Sequence, residues 1–198
     1  MTKYAIGVDF GTLSGRALLV SLEDGEEIAS CVMEYPHGVM DRTLPSGERL
    51  ENGAAFQHPQ DYLDVLNHTV KTVVAQSGVC PEDIVGLGID FTSCTVLPVL
   101  DDGTPLCVLD EFSSDPHAYV KLWKHHAAQQ EADEITTLAE ERKESWLARY
   151  GGKVSSEWLL PKVLETLHKS PMVFSAAQRF VEAGDWLVWN LTGREGHS

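Results

Sequence analysis

Residues 4–10, YAIGVDF, set Tyr4, Ile6 and Val8 on alternate positions, and the acid Asp9 arrives only at the end of the run. Alternation at a period of two predicts a strand, and near-continuous apolarity predicts one covered on both faces. Residues 16–22 are too few for a helix before the EDGEE turn and predict a second strand. EIASCVMEY predicts a third, so the chain opens as an antiparallel meander. Residues 36–57 hold Gly, Pro and charge with no apolar period, which predicts an exposed excursion. From Asp61 the positions Leu63, Leu66, Val70, Val73 and Val74 follow helical spacing, and Gly78 can end the helix. DIVGLGIDF and TVLPVLDDG predict strands, the second closed by an Asp-Gly turn before TPLCVL.

The rest reads as mostly helical. Residues 117–143 carry two amphipathic stretches, and FVEAGDWLVWNLTG sets Phe180, Leu187, Val188 and Leu191 along one helical face, with Thr192-Gly193 as its stop. A proline inside a helix costs about 3 kcal/mol, so SSEWLLPKVLETL starts its helix near Pro161 or kinks there. Hairpins followed by helix, strand and helix predict a mixed α/β domain.

Composition narrows the function. Fifteen basic against thirty acidic residues give a net charge of −15, which repels nucleic acid and anionic membrane. An anionic ligand therefore needs a local site of backbone N–H groups, a metal ion or a few cations. Cys31, Cys80, Cys94 and Cys107 show no C-x-x-C pair, no zinc spacing and no disulfide framework, and are read as reduced. No basic-then-apolar leader opens the chain, and no run of about 18 apolar residues occurs, so a cytoplasmic protein is expected.

Such a local site is available at the first turn. In GVDFGTLSGRALL, Gly11 and Gly15 would let an anion approach the backbone, while Thr12 and Ser14 add hydroxyl donors. Asp9 beside that cradle would repel a bare phosphate, so the pairing makes sense if a divalent cation bridges carboxylate and phosphates, with Arg16 offsetting remaining charge. Neither a Walker loop nor a dinucleotide fingerprint is present. The same residues would also make an ordinary hairpin.

The stretch resembles the first phosphate motif of the FGGY carbohydrate kinases, within the actin, Hsp70 and hexokinase-like superfamily. GLGIDFTSCTVLPVLDDGTPL resembles their sugar-contacting strand and turn, and LWKHHAA, SSEWLLPKVLETL and EAGDWLVWNLTG resemble a ketopentose-phosphorylating branch of the family. The resemblance implies an actin-like (ribonuclease H-like) ATPase domain with a mixed sheet flanked by helices. It implies ATP and Mg²⁺ as cofactors, Asp9 toward the metal, Gly11, Thr12, Ser14 and Arg16 toward the phosphates, and Ser93 and Cys94 toward a small-molecule sugar. Residues 1–198 are expected to be part of an N-terminal kinase domain, with the second domain and the catalytic base beyond Ser198 and the chain alone inactive. Apolar surface left bare would favour self-association as a homo-oligomer.

Individual residues refine this picture. Small groups at Thr92, Ser93 and Cys94 stand where glycerol kinases carry larger polar ones, which suits a differently oriented sugar. No His neighbours Cys94 in sequence, so a nucleophilic thiol is not expected. WKHH departs from the Trp-x-Asp-x-Arg of xylulose and glycerol kinases, and His125 and His126 are expected on a solvated helix face, with Trp123 in the core. Asp185 is expected to cap a helix or sit at the surface.

Overall fold

The computed structural model describes residues 2–194. In chain order the elements are strands β1 (Tyr4–Phe10), β2 (Ser14–Ser21), β3 (Glu27–Glu34) and β4 (Phe56–Gln57), helix α1 (Pro59–Ser77), strands β5 (Ile84–Phe91), β6 (Val96–Val99) and β7 (Val120–Lys121), helices α2 (Gln129–Glu141), α3 (Leu159–Lys169) and α4 (Pro171–Ala176), strand β8 (Arg179–Glu182) and helix α5 (Ala183–Thr192). The described residues divide into two compact units: residues 2–38, 58–92 and 184–194 form the first, and residues 39–57 and 93–183 the second.

The first unit is built on a sheet of order β3-β2-β1-β5, antiparallel between β3, β2 and β1 and parallel between β1 and β5. The expected meander is present. Alternation decides which face is covered: Ile6, Val8, Phe10, Ala17 and Leu19 are buried with Tyr62, Val65 and Val73 of α1, whereas Gly7, Asp9 and Arg16 are exposed. β1 is thus covered on one face rather than two, because its intervening positions, Ala5, Gly7 and Asp9, carry little apolar surface to bury. Phe10 stacks on Phe91 at 5.0 Å and meets the Tyr62 ring edge-on at 6.1 Å, tying β1, β5 and α1 together. α1 starts two residues before Asp61, where the His58 side chain accepts the Gln60 N–H and Pro59 opens the first turn. It ends as expected at Gly78, whose φ of 68° suits a residue without Cβ.

The second unit carries the antiparallel sheet β4-β7-β6-β8. Its core includes Met40, Leu44, Ala54 and Phe56, so the segment read as an exposed excursion supplies core residues. Short bridges, Met40 to Phe56 and Thr43 to Arg49, hold that segment without any apolar period. After the Gly103 turn that closes β6, Pro105 bridges back to Val99 and Leu106–Val108 form a 3₁₀ turn. β6 pairs with β7 and β8. The first of the two expected helical stretches in 117–143 contains turns and β7, and only α2 is helical. Phe180 lies in β8 rather than on a helix with Leu187, and Val188 and Leu191 are exposed. α3 begins two residues before Pro161, which sits in the first turn where it displaces no helical hydrogen bond.

The four cysteines are free thiols. Among the described residues no helix is long and apolar enough to cross a membrane. Exposed apolar side chains are present in both units, Val85 and Leu87 in the first and Leu160 and Met172 in the second.

Candidate functional site

The first turn is a tight hairpin: Phe10 pairs with Gly15, and the Gly11 N–H donates to the Ser14 carbonyl at 3.0 Å. The Gly11 amide is therefore used within the turn. Thr12 and Ser14 are half-buried beside it and Leu13 is exposed. Tyr35 braces the hairpin, donating its hydroxyl to the Gly11 carbonyl at 3.0 Å. Burial, then the charges of Asp9 and Asp61, push the Tyr35 phenol far above its usual range, so it stays a neutral donor. Gly15 has another duty. A Cβ there would collide with Val65 Cγ1 of α1, so this glycine allows strand and helix to approach rather than admitting an anion.

Asp9 is exposed on β1 and lies directly opposite Arg16 of β2. On its other side the register brings a residue that the sequence reading overlooked. β5 repeats the β1 motif, Gly88-Ile89-Asp90-Phe91 against Gly7-Val8-Asp9-Phe10, and parallel pairing aligns the two copies residue for residue. Aligned positions on neighbouring strands face the same way, so Arg16, Asp9 and Asp90 form one row across the open face of the sheet. Gly7 and Gly88 lie two residues earlier on that face, and a Cβ at either would meet nothing within 4 Å. The result is an open depression of about 460 Å³ floored by glycine backbone and edged by Asp9, Asp90, Arg16 and Leu18. The repeated G-[VI]-D-F was the available signal in the sequence. Exposed carboxylates and hydroxyls are hard oxygen donors, the set that Mg²⁺ prefers.

A second cluster in the first unit has metal-ligand chemistry. His37, His58 and Asp61 place ligand atoms within 4.8 Å of one another. Asp61, almost fully buried, accepts the His37 N–H at 3.0 Å and faces its Nδ1 at 2.6 Å. The two imidazoles stack at 4.5 Å with planes only 19° apart. Near-parallel rings do not converge their in-plane lone pairs on one ion, so this arrangement clips the chain at His37 to the start of α1.

In the second unit Ser93 is exposed and Cys94 half-buried, the latter at a φ of 59°. Burial, and then Glu182, raise the Cys94 thiol above its usual range, which keeps it protonated and a poor nucleophile, as expected. WKHH is not on a helix. His125 is fully buried, accepting the Ala55 N–H on Nδ1 at 3.1 Å and lying 2.9 Å from Glu165 Oε2 through Nε2. Only His126 is exposed, and Trp123, expected in the core, is 38% exposed. Asp185 is half-buried in the first turn of α5.

Comparison with known proteins identifies the family and the fold. The chain is 54% identical over 194 residues to a ribulokinase of Mycolicibacterium smegmatis, a match covering 97% of this chain and 34% of that protein. It is also 54% identical over 194 residues to a ribulokinase of Shouchella clausii, covering 98% of this chain and 35% of that one. The chain thus spans about a third of the length of the curated relatives it matches. Among solved structures, a xylulose kinase from Rhodospirillum rubrum superposes with a TM-score of 0.74 at 22% identity, over 98% of this chain and 35% of that one. The likeness establishes the shared fold, the mixed-sheet actin-like domain of these kinases. The profile of the FGGY family of carbohydrate kinases, N-terminal domain, matches residues 4–197, nearly the whole chain, and the chain therefore belongs to that family.

Proposed function

We propose that this chain is part of the N-terminal domain of an ATP-dependent kinase that transfers the γ-phosphate to the terminal hydroxyl of L-ribulose, giving L-ribulose 5-phosphate. The observation that carries the reading is the in-register pair of G-[VI]-D-F strands beside the hairpin, which sets two carboxylates and a guanidinium on an open glycine floor. The ribulose specificity is supported by the relatives above 50% identity that bear the name ribulokinase.

In phosphoryl transfer the protein's contribution is mostly positioning and electrostatics. Asp9, with Asp90 beside it, would hold Mg²⁺, which when bound neutralises charge on the β- and γ-phosphates. Thr12, Ser14 and the tip of the hairpin would hold the phosphates; the Gly11 N–H is engaged within the turn. Arg16 balances the anionic charge at the same face. Ser93 and Cys94 contact the sugar.

A chimera tests the reading: residues 1–198 replace the matching third of the M. smegmatis ribulokinase, and ADP release is followed with L-ribulose, D-xylulose, glycerol or no acceptor. L-ribulose should stimulate turnover most, and Asp9→Asn should reduce it on the order of 100-fold or more. Turnover that Asp9→Asn leaves intact, or that only glycerol or D-xylulose stimulates, would contradict it.

A further inference from the structure

Two lysines are buried in the second unit, and they are not alike. Lys121 Nζ donates to Glu165 Oε2 at 2.6 Å, to Thr166 Oγ1 at 2.8 Å and to the Lys162 carbonyl at 2.9 Å, so its three protons have three acceptors and one is an anion. Burial opposes ionisation of Glu165, yet the hydrogen bond from His125 and the charge of Lys121 outweigh it and hold the carboxyl well below its usual range. Because His125 accepts the Ala55 N–H on Nδ1, its own proton is on Nε2 toward Glu165, and burial favours this neutral form. Lys121 and Glu165 thus neutralise each other.

Lys162 is 1% exposed and forms no ion pair among the described residues. Its ammonium donates to two backbone carbonyls, those of Cys94 and Leu122. Burying a cation against uncharged acceptors is costly, and plain packing at this position would be served by Leu or Met. What the ammonium grips is specific. Cys94 is one of two non-glycine residues at positive φ among the described residues, a conformation in which a Cβ crowds the backbone and which must be held in place by its surroundings. The next residue is pinned from another side, its N–H donating to Glu182 Oε2 at 3.0 Å.

We propose that Lys162 is a positioning residue for sugar binding, its charged grip on the Cys94 carbonyl holding the left-handed turn that presents Ser93 and Cys94 to the substrate. The proposal rests on the reading of that turn as the sugar contact. The charged and titratable groups facing Lys162 are Cys94, Glu182 and Glu157, which favour its charged form, and Lys121, which opposes it. Burial outweighs the favourable groups and brings its pKa down to about 8. Below that pH the ammonium holds the carbonyl with a charge-assisted bond; above it the neutral amine keeps two N–H groups but loses the charge. The Cys94 thiol, raised by burial, titrates later.

The experiment is an NMR titration of the chain with L-ribulose between pH 6.5 and 9.5, followed at the amides of residues 93–95, for the unmodified protein, Lys162→Met and Lys162→Arg. The unmodified protein should lose about fivefold in affinity across that range. Lys162→Arg, permanently charged, should match it at pH 7 and stay flat, while Lys162→Met should bind about tenfold more weakly at every pH. Affinity within twofold of the unmodified protein in Lys162→Met would overturn the proposal. So would an unchanged pH dependence in Lys162→Arg, which remains decisive if Lys162→Met fails to fold. Failure of the underlying reading looks different: L-ribulose would then leave residues 93–95 unmoved in the unmodified protein, even where Lys162→Met itself shifts their amides.

Discussion

In the first unit Asp9, Asp90 and Arg16 stand on the open face of a sheet, whereas in the second Lys121, Lys162, Glu165 and His125 are sealed from water. Charges on the open face keep their hydration in the fold, so their removal should barely change folding and, on the proposed function, should change binding. Charges in the sealed network have surrendered hydration; Lys121, His125 and Glu165 depend on each other, so removal of one strands its partners, while Lys162 depends on backbone carbonyls. The first arrangement is suited to recognising a polyanion and its cation, and the second to holding backbone in place.

Breaking that contrast starts with the buried pair. Glu165→Gln leaves Lys121 without a counter-charge and should lower the stability of the second unit by about 3–5 kcal/mol in urea unfolding, read by hydrogen exchange in β7 and α3. Acid should come next. Burial lowers the His117 pKa to about 4, and its Nδ1 has no hydrogen-bond partner among the described residues. The unfolded chain then takes up this proton first, so stability present above about 6.5 is lost as pH falls toward 4, by roughly 2–4 kcal/mol. The depressed Glu165 carboxyl adds to the loss below its ordinary range. His117→Gln should flatten the slope between pH 6.5 and 4 in thermal unfolding; an unchanged slope would assign it elsewhere.

Smaller effects sharpen the open-face side. Gly15→Ala should destabilise the first unit by about 1–3 kcal/mol through the collision with Val65, and Val65→Ala should recover part of it. Asp9→Asn should shift stability by less than about 0.5 kcal/mol while weakening Mg-ATP binding at least about tenfold, a separation that calorimetry and thermal melting check together.

The difference between the units also explains what could be read from the chain. GVDFG, the meander and α1 were legible because their signals are local: alternation at a period of two, a period near 3.6, and glycine at the turns. Asp90 was missed although its motif duplicates that of Asp9, because only the parallel register of β1 with β5 makes the copies neighbours. Met40 and Phe56 escaped notice since short bridges, not periodicity, hold their segment. WKHH was misread for the same reason: the partner that buries His125 is Glu165, 40 residues away on α3. Long-range polar pairing leaves no pattern in a local window.

The most direct test uses Mn²⁺ as a paramagnetic stand-in for Mg²⁺, with ATP, and maps the broadening of backbone amides. Broadening centred on residues 9–16 and 88–92, dependent on ATP and abolished by Asp9→Asn, is the expected result. Broadening that ignores Asp9→Asn, or that centres on His37, His58 and Asp61 instead, would contradict the assignment of the hairpin and its two carboxylates to the cation and phosphates.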